Sequence, residues 1–599
     1  MKPSFSFSAS PDADRGLVLR LRFLLLATIG IAVLPLAWRG TSCGQDFDFH
    51  LQNWLELVRS WHQGVLYPRW AGSANYGAGE PRFVFYPPLA RFLGAALGSV
   101  LPWSWTPVAF TTLVLLCAGV SLRAMAREWI SEESAVFAAC LYIVNPYVMF
   151  VIYERGAVAE LLAAVWIPLL ALYGLRRRSS VVPLAITTAA LWLTDAPAAV
   201  MGMYSLGIFV LVAVLRNKEG RLAGRALAAV PLGLGIAGFW LIPAIWEQRW
   251  VQIGRAIGPL MRVEDSFLFG FAKLSSLRSP ISSTDQFNLI YHNQVLGLAS
   301  WICLVLMLAT AAAVWFSRAC FSREKCKGLW LPLVVLSIVI SIIQFHWTDF
   351  LWRFMPELRF VQFPWRWMLV LGMTFAILAG MASSVAASFS GMTARAAGIR
   401  AGFLLLLACG TSVWASIRYW QPCDEEDNIA AQISTFHGSG FEGTDEYTPG
   451  RADNGLVQQG LPVVRLLSAF DAEESAADDN PAWAPASAVE LPTQTVLSSW
   501  KNQRMFFEVQ SPGRAWAVLR LMDYPAWHVT RNGLDISIRP HRSDGLMAIP
   551  IAEGRNHIEV RWKDTADQIL GFVCSLIALA VTLALAIAAR RNSQKVPLP

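Results

Sequence analysis

A chain of 599 residues that is 55% apolar and only 15% charged is not an ordinary soluble protein, in which charged residues make up about 25%. Its net charge of +7 does not point to nucleic acid, because the basic residues stand in short clusters between apolar stretches, as loop charges of a membrane protein do. The 26 Trp and 33 Phe fit interfacial aromatic belts, and the cysteines show no CxxC or His-rich spacing of a zinc or redox motif.

A membrane-spanning helix needs about 20 apolar residues. About twelve stretches meet that length: 21–38, 104–124, 134–152, 157–175, 179–195, 196–215, 226–246, 295–317, 328–345, 366–388, 400–419 and 568–589. The first has no small-residue cleavage site after it and reads as a retained span. A further apolar stretch, 84–102, holds Tyr86-Pro87-Pro88, Arg91 and Pro102. A double proline suits the start of a helix and not its interior.

Placing 84–102 along the outer surface puts the clusters Arg20/Arg22, Arg123/Arg127, Arg176/Arg177/Arg178, Arg216/Lys218/Arg221/Arg225, Arg318/Arg323/Lys325/Lys327, Arg395/Arg400 and Arg590/Arg591/Lys595 on the cytoplasmic side. A thirteenth span would move Arg176–Arg178 outside and break the positive-inside pattern. The expectation is a multi-pass protein of the bacterial inner (cytoplasmic) membrane with both termini cytoplasmic. Cys43 and Cys423 then both face outward, where a disulfide between them is open to the chain. All eight histidines also fall outside, either as solvated loop residues or because the working face is there.

Four external segments exceed simple turns. In 39–103, Phe47, Leu51, Trp54, Leu55, Val58 and Trp61 recur at helical spacing opposite Asp48, Gln52, Glu56 and Arg59, which predicts an amphipathic helix lying in the interface. The turn Tyr153-Glu154-Arg155-Gly156 leads to Glu160, and 247–294 is polar. The segment 420–567 opens on Asp424, Glu425, Glu426 and Asp427, passes through a flexible-looking stretch Asp471–Pro485, and then reads as strands: Arg504–Ser511, Arg514–Leu521, Trp527–Arg531, Asp535–Arg539, Leu546–Ile551 and His557–Trp562. Asn532-Gly533 is a strong hairpin signal. Period-two alternation predicts an antiparallel β-sandwich or similar sheet. The domains expected are 1–419, 420–567 and a final span with basic tail, 568–599.

Asp46, Asp48 and His50 stand just past the first span. A carboxylate there could take a proton from a hydroxyl or amine, or serve as cap and first-turn acid of a helix. Glu160 lies inside an apolar span, which is costly and so marks function; Arg155 would be its ion-pair partner or a phosphate-binding group. Gln362-Phe363-Pro364-Trp365-Arg366-Trp367 reads either as an interface anchor or as a holder of lipid-linked phosphate, a task suited to Arg. Asp195 reads mainly as a structural cap.

The residues Asp46-x-x-Phe49-His50-Leu51, Gly64, Pro68-x-Trp70, Gly77-x-Gly79-x-Pro81 and Phe85-Tyr86-Pro87-Pro88-Leu89 resemble the bacterial 6-pyruvoyl-tetrahydropterin-synthase-related membrane proteins. Arg155-Gly156-Ala157-x-Ala159-Glu160 and Gln362-Phe363-Pro364-Trp365-Arg366 extend the likeness. The zinc-binding histidine set of the soluble enzyme in that name is missing. Tyr524-Pro525-x-Trp527, Asn532-Gly533 and Gly554-x-x-x-Ile558 resemble the external domain of YfhO-type membrane proteins.

Both families look like the GT-C superfamily of membrane glycosyltransferases. The resemblance implies a GT-C-like bundle of about 12 helices with a β-rich extracytoplasmic domain, and a proline-proline juxtamembrane segment like that of the arabinose- and mannose-transferring members. It implies an inverting transferase that takes sugar from a polyprenyl-phosphate donor to an extracytoplasmic acceptor (glycan, lipid or protein). Asp46 matches the first acidic position and Glu160 or Glu154 the second; Asp48 stands where the family often has proline, so Asp46 and Asp48 compete for the primary role. His50 would orient the acceptor or support the base, Arg155 and Arg366 would hold the carrier phosphate, and Glu154, Gln362 and Tyr86 would support them. Either a divalent cation (Mg or Mn) on Asp46 and Glu160 or no cofactor is compatible with such donors. The rivals are a lipid-linked glycan transporter or flippase partner, and a glycan-binding envelope scaffold.

Overall fold

A computed structural model describes residues 11–177, 179–270, 283–390, 394–450, 452–468, 490–491, 494–537 and 539–594; the stretch Asp471–Pro485 lies outside them. The chain forms two compact units: residues 1–47, 104–233 and 259–423, and residues 48–103, 234–258 and 424–599.

Among the described residues, nine helices are long and apolar enough to cross a membrane: Leu19–Arg39, Thr106–Ala126, Glu132–Arg155, Val158–Leu175, Ala196–Arg216, Asn288–Ser322, Pro364–Ala387, Gly398–Arg418 and Ala566–Arg591. The consecutive helices Gly220–Ile236 and Gly238–Trp250 make a tenth, bent span if taken together. The expected twelve therefore become nine or ten. Val181–Trp192 has 12 residues and rises only about 18 Å, short of the roughly 30 Å hydrocarbon core. Gly328–Ile342 is likewise too short. Hydropathy cannot register that Asp195 ends the first of these by capping the next helix, its carboxylate accepting from the Ala198 N–H at 2.9 Å. The stretch 84–102 forms no spanning helix, only Arg82–Phe85 and Pro88–Gly98, with Pro87 extended between them.

Among the described residues the regular elements of the first unit are all helices, and the Cys43–Cys423 disulfide fastens its first loop to the residues after helix Ala394–Arg418.

The second unit contains an antiparallel β-sandwich. Its strands are β1 (Val464–Ser468), β2 (Glu490–Leu491), β3 (Gln494–Lys501), β4 (Arg504–Ser511), β5 (Ala515–Met522), β6 (Trp527–Arg531), β7 (Leu534–Asp535), β8 (Leu546–Ile551) and β9 (Gly554–Trp562). One sheet has the order β2-β1-β5-β8 and the other β3-β4-β9-β6-β7. Phe507, Val509, Leu519, Ile549, Ile558 and Val560 are buried in a common core. Of the three turns expected to join strands, only Asn532-Gly533 makes a hairpin: it joins β6 to β7 with both turn residues at positive φ, as a two-residue turn between twisted strands requires; β3 and β4 form another hairpin through Asn502-Gln503. The Pro512-Gly513 and Glu553-Gly554 turns instead carry the chain from one sheet to the other. The expected strand Asp535–Arg539 shrinks to the two residues of β7, and β1, β2 and β3 lie outside the expected strands.

The segment 48–103 is not an appendage of this unit. Trp70, Ala78, Val84 and Phe85 enter the sandwich core, and Ala78 accepts the Met522 N–H at 2.8 Å. The amphipathic helix forms over Phe47–His62, but its polar face is not turned to water as expected of an interfacial helix. Asn53 and Glu56 are buried, and Glu56 accepts the N–H groups of Gly72 and Ser73 at 2.9 and 3.1 Å. Polar groups at that depth need such partners, and they are supplied by a loop the helical periodicity does not reveal.

Candidate active site

The site is assembled in the first unit, where the loop after the first span lies against the end of the third. Asn145 caps the helical segment starting at Pro146, its side chain accepting from the Tyr147 and Val148 N–H groups. The segment then widens into a π-helical turn, Val151–Arg155, closed by Gly156 at φ +61°. Such turns re-aim side chains and cluster at functional sites. The Gln45 N–H donates to Glu154 O at 3.2 Å, the Asp46 N–H to Arg155 O at 2.7 Å, and the Ser42 hydroxyl to Tyr153 O at 2.6 Å. The approach is close enough to require glycine on both sides. A Cβ at Gly44 would meet Glu154 O at 2.5 Å, and one at Gly156 would meet the Phe47 Cβ at 2.8 Å.

This seating brings together five of the expected residues: Asp46, Arg155 and Glu160, with Arg366 and Gln362 beside them. Arg155 donates through Nη2 to Asp46 Oδ2 at 2.7 Å and through Nη1 to Glu160 Oε2 at 2.5 Å. The arginine and Glu160 side chains are 2% and 3% exposed, whereas Asp46 keeps 36%. Glu160 also accepts from the Tyr147 hydroxyl and has Arg366 Nε at 3.6 Å. Arg366 is positioned by Gln362 Oε1 at 3.0 Å and Val361 O at 3.1 Å. Trp365 stacks on Phe363 and sits 5.0 Å from the Arg155 guanidinium. Desolvated charges are tolerable only when paired in this way. The assembly is a buried ionic hub with one carboxylate, Asp46, reaching its surface.

The remaining expected residues lie elsewhere. Glu154 is buried and makes none of these contacts, accepting instead from Gln421 Nε2 at 2.7 Å and from the Tyr291 hydroxyl at 3.1 Å. Asp48, His50 and Tyr86 belong to the second unit. Asp48 is in the first turn of helix Phe47–His62, and the buried His50 ring lies 6.0 Å from that of Tyr86. Two hub members were missed. Tyr147 carries no signal in the sequence beyond an apolar run. Asp195, read as a cap, also sits within electrostatic reach of Arg366, Glu160 and Arg155; its position just ahead of a short helix was the available clue.

A divalent ion shared by Asp46 and Glu160 does not fit this arrangement, because the Arg155 guanidinium occupies the space between the two carboxylates and is bonded to both. Among the described residues, no three His, Cys, Asp or Glu side chains converge on a common point.

Beside the hub opens an apolar groove of about 660 Å³, lined by Pro146, Met149, Trp301, Ile302, Trp414 and Tyr419 among others. Phe150 links them, its ring 5.7 Å from both Trp365 and Tyr419. A second groove of about 860 Å³ shares Leu407 with the first and continues past Phe403 to Arg400.

The family model described as "6-pyruvoyl-tetrahydropterin synthase related domain; membrane protein" matches residues 83–385, just over half of the chain. The chain belongs to this family. Arg155, Glu160, Gln362 and Arg366 fall inside the matched region, while Asp46 precedes it. No curated protein matches the sequence. Among solved structures, the chain is similar to the arabinofuranosyltransferase AftD from Mycobacteria, with 17% identity over 69% of this chain and 29% of that chain at a TM-score of 0.41. A mutant form of AftD aligns at 11% identity over 91% of this chain and 60% of that chain, TM-score 0.45. ArnT from Cupriavidus metallidurans, bound to undecaprenyl phosphate, aligns at 13% identity over 63% of this chain and 79% of that chain, TM-score 0.28. The chain thus spans less than a third of the first AftD chain and 60% of the second.

Proposed function

We propose that this family member is a GT-C-type membrane glycosyltransferase that moves a sugar from a polyprenyl-phosphate donor to an extracytoplasmic acceptor with inversion. The observation that carries the reading is a partly exposed Asp46 carboxylate fixed by a buried arginine, in a hub beside an apolar groove. From Arg400 to Arg418 the helix lining both grooves rises about 27 Å, close to the thickness of a hydrocarbon core.

Asp46 accepts the proton of the acceptor hydroxyl as its oxygen attacks the anomeric carbon. The bond from that carbon to the carrier phosphate breaks, and polyprenyl phosphate leaves with the bonding electrons. With one Nη group on Asp46 and the other on Glu160, Arg155 acts in this reading as a positioning residue that fixes Asp46. Arg366 is left as the hub's candidate for phosphate oxygens. Its Nε lacks a hydrogen-bond partner of regular geometry, and a guanidinium suits that partner.

The Cys43–Cys423 bond stands three residues before Asp46, and disulfides persist in oxidising compartments. This supports an outward-facing site and, with the loop charges, an inner-membrane protein whose termini are cytoplasmic and whose β-sandwich is extracytoplasmic. The test is Asp46→Asn in purified protein supplied with a labelled polyprenyl-phosphate sugar and an envelope acceptor fraction. Transfer is expected to fall by about two to four orders of magnitude, the range of a lost general base, with thermal unfolding unchanged. Transfer at the wild-type rate would refute the assignment of Asp46.

A further inference from the structure

The second unit contains two buried guanidiniums that no acidic side chain pairs with among the described residues. Arg91, on helix Pro88–Gly98, is 1% exposed, and Arg69 is 8% exposed. Arg91 donates a long hydrogen bond, Nη1 to Phe83 O at 3.4 Å, and interacts with the Tyr67 hydroxyl; among the described residues its Nε and Nη2 have no acceptor of regular geometry. Arg69 donates through Nη2 to Phe239 O at 3.2 Å, and its Nη1 has no acceptor. The buried Tyr67 hydroxyl also lacks a partner of regular geometry.

The rings of Phe83, Tyr67 and Phe92 lie 4.3, 5.3 and 5.7 Å from the Arg91 guanidinium carbon, and Tyr67 also stacks with Arg69 at 5.0 Å. Aromatic rings take up the face of a guanidinium. Its N–H bonds lie in the plane and still need acceptors. Leaving several charged donors unmet in a protein interior costs more than almost any single contact returns. The Glu247 carboxylate does not meet the need, being bonded to the Tyr524 hydroxyl at 2.5 Å and to Gln568 Nε2 at 2.7 Å. Burial, reinforced by the neighbouring Arg69 charge, draws the Arg91 guanidinium down to about 10, the response of a cation that lacks its counter-ion.

We propose that Arg69, Arg91 and Tyr67 form a binding site for a phosphate-type oxyanion. Two in-plane guanidinium edges and a phenol match the donor geometry that phosphate oxygens accept. Leu66, next to Tyr67, and Val100, just past the helix carrying Arg91, are each 77% exposed, so the site is flanked by apolar surface suited to the chain of a phosphorylated lipid. It lies apart from the Asp46 hub in residue composition and does not rest on the transferase reading.

The experiment uses the purified full-length protein in neutral detergent and calorimetric titration with octyl phosphate, inorganic phosphate and octanol. Saturable binding of octyl phosphate is expected, weakened about tenfold or more in Arg69→Gln, the scale of one charge-assisted hydrogen bond. It is expected to persist in Arg91→Lys with reduced affinity. Tighter binding of octyl phosphate than of inorganic phosphate assigns a lipid headgroup; equal binding assigns the free ion; either supports the site. Failure of both phosphates to bind, octanol binding as tightly as octyl phosphate, or a folded Arg69→Gln protein with wild-type affinity would overturn it. Arg91→Met supplies an independent check, since stabilisation of the ligand-free protein by this change, with octyl phosphate affinity retained, would make Arg91 a packing residue only.

Discussion

Removing one member of the hub at a time should give unequal losses of stability, and the inequality follows from exposure. The Arg155–Glu160 pair is 2% and 3% exposed. Breaking a pair at that depth leaves an uncompensated charge and costs about 3–5 kcal/mol. Asp46 is 36% exposed, so solvent screens its contact with Arg155, and the loss in Asp46→Asn should stay within about 1 kcal/mol. Arg155→Met strands Glu160 with Tyr147 and with Arg366 at 3.6 Å, and should fall in the larger class. The double variant Arg155→Met/Glu160→Gln removes both charges and should recover part of the loss, with a coupling of about 1–3 kcal/mol. Equilibrium unfolding in mixed micelles of increasing SDS fraction, followed by Trp fluorescence, measures these three and the single variant Glu160→Gln. The reasoning fails if Asp46→Asn is as costly as Glu160→Gln, or if the double variant is merely the sum of the singles.

Three further outcomes follow. Cys43→Ser should unfasten the Asp46 loop, costing roughly 2–4 kcal/mol and abolishing the mobility difference between reduced and non-reduced protein on gels; an unchanged mobility shift would mean the pairing is wrong. Gly44→Ala places a methyl 2.5 Å from Glu154 O and should depress transfer while the β-sandwich keeps its protection against hydrogen exchange, whereas activity equal to wild type would mean the loop is not seated on the 153–156 turn. Gly533→Val forces a β-branched residue to φ +81° and should destabilise the protein by about 1–3 kcal/mol without altering transfer, measured by parallel unfolding and activity assays; loss of activity in a folded variant would give the β6–β7 turn a functional role.

Much of the architecture could be read from periodicity and charge. Each long apolar run became a helix, and Trp527–Arg531, Leu546–Ile551 and the Asn532-Gly533 hairpin fell where the pattern put them. The errors share a physical origin. Hydropathy scores composition but not where a cap or proline stops a helix, so 179–195 reads as a span although its helix runs only over Val181–Trp192. Amphipathicity distinguishes a polar from an apolar face but not water from protein as the partner of the polar one, so the burial of Glu56 against the Gly72–Ser73 backbone was invisible.

The hub divides along the same line. The cost of placing Glu160 in an apolar span flagged it, and the loop acid Asp46 was apparent. That Arg155 would bridge these two carboxylates, and that Glu154 would bond instead to Gln421 and Tyr291, depends on a π-helical turn that no local pattern announces. Partners such as Tyr147 come from packing alone.

The most direct measurement is the release of free polyprenyl phosphate from a radiolabelled polyprenyl-phosphate sugar by the purified protein in lipid nanodiscs, with acceptor present. Stoichiometric release by the wild type and none by Asp46→Asn is the expected result. Movement of intact donor across the bilayer without cleavage, or equal release by both proteins, would contradict a transferase centred on Asp46.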